Sequence, residues 1–240
     1  MRANLPLAAL AILLAAPACS GGSSSGSKSA QTTVAPAPNA ADQALARQAT
    51  LTLSDFPPGW TSKPHEDSSN TKSDEKLAQC LHLPSSKLIP DAANADSDDF
   101  TSDTGQQITN SVGVAKTASD VRRVLDVMSR SDAAGCFAQT FDAAIREQST
   151  TASAPADTTF GKTTVSPESF ESLGDRTVAY RVTVPVTTKG VSVSVYIDFI
   201  VVQKGRVGIT LTALDTITPV AADQSASMLG KVLSRIPTTT

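Results

Sequence analysis

Three cysteines and two histidines hold most of the reactive chemistry in this chain, and their surroundings sort them into different roles. Cys19 follows Ala16-Pro17-Ala18, small residues that close an apolar run from Leu5 to Ala16 with Arg2 ahead of it. That layout is a secretory signal. A cysteine directly after the cleavage point is the residue whose thiol takes a diacylglycerol group before a lipoprotein signal peptidase cuts. The run is too short to span a bilayer, so lipid is the expected anchor, and two acyl chains suffice for stable attachment.

With Cys19 acylated, Cys80 and Cys136 remain, and an even pair in an exported chain is most simply a disulfide. His65 and His82 both fall in short polar or turn-like segments and are expected on the surface. A structural zinc wants four N or S ligands, and neither Cys-x-x-Cys nor His-x-x-x-His spacing occurs. Histidine catalysis needs a nucleophile and an orienting partner, which the sequence does not display. Asp91, Asp96, Asp98, Asp99 and Asp103 cluster as calcium ligands can, but without the Gly and terminal Glu of an EF-hand loop. A solvated surface loop is expected there. No catalytic residue, metal or cofactor is therefore expected, and no ligand-binding residue is singled out.

Charge excludes another class. Removal of residues 1–18 takes away Arg2 and leaves 19 basic against 23 acidic residues. No stretch holds three adjacent basic residues, so the clustered cations that bind a nucleic-acid backbone are missing.

The elements that must position these residues follow from composition and period. Residues 19–40 are a Ser/Gly/Ala/Pro/Thr tether with nothing to build a core. Residues 41–240 form the folded domain. A short helix is expected at Ala41–Ala49, and the Pro57-Pro58-Gly59 break leaves Phe56 and Trp60 to plug the domain edge. Thr71 and Asp74 have capping-box spacing ahead of a helix over Asp74–Leu81. Apolar alternation predicts a strand over Gln106–Lys116, with Asn110 out of step. Thr117 and Asp120 form a second capping box, opening a helix with Val121, Val124, Leu125 and Met128 on one face. A further helix spans Ala133–Gln148, and Ser149–Ala156 is a link.

Three strands, Thr177–Val186, Val191–Gln203 and Arg206–Ala213, precede a helix over Pro219–Arg235 with Pro219 in its first turn. Hydrophobic matching predicts a three-residue loop, Gln203-Lys204-Gly205, with Gly205 left-handed. Val202 then faces Arg206, and Phe199 faces Ile209. The order of elements is that of an α+β fold.

Several segments carry a resemblance. Leu53-Ser54-Asp55-Phe56-Pro57-Pro58-Gly59-Trp60, Cys80-Leu81-His82-Leu83-Pro84, Ala134-Gly135-Cys136-Phe137 and Val195-Tyr196-Ile197-Asp198-Phe199 before Lys204-Gly205-Arg206 resemble a group of actinobacterial lipoproteins. These are similar to the PknH extracellular sensor domain and to LpqN-type lipoproteins, and they share the Mog1/PsbP-like fold. The resemblance, over about residues 50–236, implies an antiparallel sheet packed between helices. The sensor domain has more cysteines, so no ligand cleft is carried over from it.

The expected protein is a lipid-anchored, non-enzymatic binding or sensor module on the outer face of a bacterial cell membrane. Its ligand would be an envelope lipid, glycan or protein. Two alternatives stand beside it: an accessory lipoprotein docking on an envelope protein, and a hydrolase of envelope lipids or esters.

Overall fold

β-Branched residues dominate three consecutive segments of the C-terminal half, and these form the longest strands of the fold. The structure, a computed structural model, describes residues 39–66, 71–83, 91–149 and 157–238. Cys19, the signal segment, most of the tether and residues 150–156 of the link expected at Ser149–Ala156 lie outside the described residues.

Strands β7 (Arg176–Thr188), β8 (Val191–Lys204) and β9 (Val207–Asp215) make an antiparallel meander. Lys189 and Gly190, both at positive φ, join the first two in a two-residue turn whose twist suits the strands. Strand β4 (Gln107–Ala115) pairs with β9 and continues the sheet toward β3 (Asp99–Thr101) and β1 (Thr61–Lys63). Strand β2 (Asp91–Asp96) also pairs with β4. At the far edge β5 (Thr158–Phe160) and β6 (Thr164–Pro167) both pair with β7. Nine strands thus share one antiparallel sheet among the described residues.

Helices cover both faces, as expected for a sheet packed between helices. Helices α1 (Ala40–Ala49) and α5 (Ala222–Ser234) lie over one face, with Ile108, Val112, Ile200, Val202, Ile209 and Leu211 beneath them. Helices α2 (Thr71–Cys80), α3 (Ala118–Met128) and α4 (Ala133–Ser149) lie over the other, with Tyr180, Phe199 and Val201 beneath. Phe56 stacks between Trp60 and Phe100, ring centroids 4.6 and 4.4 Å away, and closes the edge of the first core as the sequence suggested. The Thr117–Asp120 capping box opens α3.

Four expectations are corrected. Lys204 pairs with Val207, so the hairpin loop is the two residues Gly205-Arg206, and Ile200 and Val202, not Phe199 and Val201, share a face with Ile209 and Leu211. Gly205 is left-handed at φ 57, as expected. Strand β8 is apolar on both faces, so matching apolar residues does not choose its register; the single apolar face of β9 simply goes to the α1/α5 side. Arg206 is held there by two hydrogen bonds to the Asp42 carboxylate of α1.

The acidic stretch is only partly loop: Asp91 and Asp96 lie in strand β2 and Asp99 in β3, while Asp98 and Asp103 stand in the connections beside them. Inward-facing Ala93 and Phe100 are buried, while exposed Asp96 puts on β2 a charge that discourages pairing with other chains. Helix α2 begins at Thr71, so the supposed capping box lies inside it. Helix α5 begins at Ala222, three residues beyond Pro219.

Long-range ion pairs fasten the periphery. Arg235 Nη1 donates to the Thr50 carbonyl at 2.6 Å, and its Nη2 donates to Asp55. The Arg206 guanidinium beside Asp42 holds that carboxyl below the usual carboxylate range. Burial alone would raise Asp55, but hydrogen bonds from Arg235 and Thr52 outweigh it and hold that group low too. Such depressed groups stabilise the fold fully above the ordinary value of 3.8, and the contribution is lost as pH falls through the lowered folded-state value. Stability measured by urea unfolding should therefore drop below about pH 4. In the Asp42→Asn, Asp55→Asn double variant that acid-dependent drop should shrink; an identical pH profile would show that these pairs are not its source.

Cys80, near the end of α2, is bonded to Cys136 in the first turn of α4, their Cα atoms 5.6 Å apart and 56 residues apart in sequence. Closing a loop of that length contributes up to about 4 kcal/mol by restricting the unfolded chain, a large share of a typical roughly 5–15 kcal/mol. Reduction should lower the melting temperature, and hydrogen exchange should show Leu77–Leu81 losing protection before the sheet. Unchanged melting after complete reduction would mean that packing alone holds α2.

Candidate functional site

A charge in the middle of an apolar strand has to find a partner, because a buried, unpaired charge is very costly. Asp198 of β8 and Arg181 of β7 are such residues, and the strand register sets them opposite each other. Arg181 Nε and Nη2 donate to the two Asp198 oxygens at 2.7 and 3.0 Å, a bidentate pair. Arg181 Nη1 lies 3.3 Å from Glu168 Oε2, just after β6. The Ser166 hydroxyl donates to the other Glu168 oxygen at 3.2 Å. Asp198 beside it holds the Arg181 guanidinium above the usual arginine range.

This cluster lines a cleft of about 40 Å³ with Phe170, Ile200 and, from the first turns of α5, Ala222 and Ser225. The volume has room for about two or three waters. Pockets for small-molecule ligands are larger, roughly 300–1,000 Å³. Two carboxylates face one guanidinium, so the cluster carries no surplus positive charge to attract an anion. The N-terminus of α5 lacks a side-chain cap at Ala221, and the nearby Asp223 carboxylate accepts from Gln224 N at 2.9 Å. Chemically the arrangement is a clamp that ties the turn after β6 to the β7–β8 hairpin.

The residues singled out from sequence are placed apart. His65 Nδ1 and Asp99 Oδ1 are 2.7 Å apart, on the exposed edge formed by β1 and β3 rather than in a cleft. A histidine and a carboxylate are two members of a hydrolytic relay; among the described residues no Ser or Thr hydroxyl bonds to that ring. His82 is exposed in the turn after α2, beside Asp132 ahead of α4. No group of three His, Cys, Asp or Glu residues among the described ones converges as metal ligands would. Tyr180 donates its hydroxyl to the Met128 carbonyl, and burial pushes its phenol up, so it stays a donor within the α3 packing.

Arg181, Glu168 and Asp198 were not found by sequence reasoning. A signal existed for two of them. Each of Arg181 and Asp198 is the lone charge in an apolar run, and a tight turn at Lys189-Gly190 sets them face to face.

No protein-family model matches the chain, and no curated protein matches it. Among solved structures it is similar to the extracellular domain of PknH from Mycobacterium tuberculosis, at 10% identity and a TM-score of 0.41, over 81% of this chain and 95% of that one. At that distance the likeness carries no argument about activity.

The clamp makes a graded prediction. Asp198 is buried to 6% exposure and accepts two hydrogen bonds, so Asp198→Ala leaves the guanidinium poorly satisfied and should cost about 2–3 kcal/mol. Glu168 has a side chain 31% exposed and makes only long contacts, to Arg181 at 3.3 Å and from Ser166 at 3.2 Å, so Glu168→Gln should cost under about 1 kcal/mol. Chemical denaturation of both variants checks the ranking, and equal losses would contradict it.

Proposed function

We propose that this chain is a lipid-anchored extracytoplasmic module of the bacterial envelope, acting by binding and without catalysis. The carrying observation is the bonded pair Cys80–Cys136. Such bonds persist in oxidising compartments. With both thiols used, Cys19 is the remaining cysteine of the three, and it stands at the cleavage point of an export signal. Its thiol is then free for acylation.

Binding without chemistry is supported by where the reactive groups sit. His65 and His82 occupy exposed positions on different elements, and the Arg181 cluster is internally satisfied. The small cleft beside it suits water better than a lipid tail or sugar; the partner proposed is a protein of the envelope, met through an outer surface.

The test is fractionation of cells producing wild type and Cys19→Ser. Wild type should partition into the detergent phase with its membrane, and the variant should be released into the extracytoplasmic soluble fraction with the same melting temperature. A variant that stays with membranes through high-salt washing would sink the anchor reading. Turnover of envelope ester substrates by the purified wild type would sink the non-enzymatic one.

A further inference from the structure

Strand β8 is longer than the strand beside it. Its pairing with β9 runs from Tyr196↔Asp215 to Lys204↔Val207, so among the described residues Val191–Val195 have β7 on one side and no strand on the other. Among the described residues no other backbone hydrogen bond reaches them. The cause lies at the end of β9. The Asp215 carboxylate accepts from Ile217 N at 2.7 Å and Thr218 N at 3.4 Å, bending the chain away from the sheet before it can cover β8. An open edge of about 17 Å results.

Its composition differs from that of the edges at β1 and β2, which carry Lys63 and Asp96, charges that discourage edge pairing; β5 and β6 are uncharged too, but are only three and four residues long. From Val191 through Ile197 no residue is charged. Exposed large hydrophobics are few among the described residues, and two of the three flank this edge: Val191 at 46% exposure and Ile217 at 69%.

The edge is also self-complementary. Val191-Ser192-Val193-Ser194-Val195 reads the same in both directions, so an antiparallel copy sets Val193 on Val193, Val191 on Val195 and Ser192 on Ser194. Every valine meets a valine on one face and every serine a serine on the other. That is the requirement of a two-fold interface, in which one patch is its own partner. The valine face continues the cluster of Val182, Val184, Val186 and Val195. We propose that two copies of this chain join at this edge, β8 to β8, as an antiparallel two-fold dimer centred on Val193. The contact is short and therefore weak in dilute solution. This inference does not depend on the lipid anchor.

Sedimentation velocity of the full chain carrying Cys19→Ser tests it. Should that variant not be released, detergent-solubilised wild type serves, so anchor and pairing fail separately. The expected result is a monomer–dimer equilibrium, with the Val191–Val195 amides exchanging more slowly as concentration rises. Adding Ser192→Lys and Ser194→Lys places like charges opposite each other and should weaken dimerisation roughly tenfold with unchanged melting of the monomer. Mixing that protein with one carrying Ser192→Glu and Ser194→Glu should restore a mixed dimer. A chain that stays monomeric into the millimolar range, with exchange at 191–195 independent of concentration, overturns the proposal; so does a dimer indifferent to the lysines.

Discussion

A strand that is apolar on both faces has to be covered twice, and most of this architecture answers that demand of β8. Ile200 and Val202 point to one side, Phe199 and Val201 to the other, and each fully buried residue of this size contributes roughly 1.5–3 kcal/mol only if water is excluded. Neither helical layer could be omitted. Helix α5 supplies Met228, Leu229 and Val232 to the first side. Helices α3 and α4 supply Val121, Leu125 and Phe137 to the second. Phe137 packs near both Tyr180 and Phe199, at ring distances of 5.2 and 5.9 Å, so α4 is keyed to the centre of the sheet. The disulfide then fixes the short, polar α2 to α4, a helix that already has a seat.

The first layer is fastened differently, by polar ties at its ends. Lys204 Nζ donates to the Leu233 and Ile236 carbonyls at 2.9 and 2.7 Å, satisfying the C-terminal end of α5. Asn110, at an inward position of β4, accepts from Leu51 N at 2.7 Å and so locates the segment after α1. Its amide nitrogen has no partner among the described residues, a place where a buried water would complete the site. Asn110 is thus out of step in chemistry but in step in position.

Local signals were legible where one principle acted alone. The capping box and apolar stripe of α3 and the alternation in β4 were all readable from a few neighbouring residues. Reading failed where a second partner decided. Register in the β8–β9 hairpin depends on which helical layer each face meets, and β8 offers two equivalent apolar sets. The aspartate-rich strands look like loops because such short peripheral strands bury little; Ala93 and Phe100 are too few to show a period. Strands β5 and β6 are three and four residues long and exist only because β7 offers them an edge. The Arg181 clamp spans two strands and was visible only as two isolated charges.

The bond between Asp42 and Arg206 joins residues 164 positions apart, and it sets an order of events. Helix α1 is the first described element, yet its seat is built from β4, whose own neighbour β9 ends at Asp215. A chain that emerges N-terminus first from the ribosome cannot complete its first layer until nearly all of it is available. Contacts of such long sequence separation form slowly. The same topology that makes the finished domain cohere therefore keeps the emerging chain open until the C-terminal meander arrives.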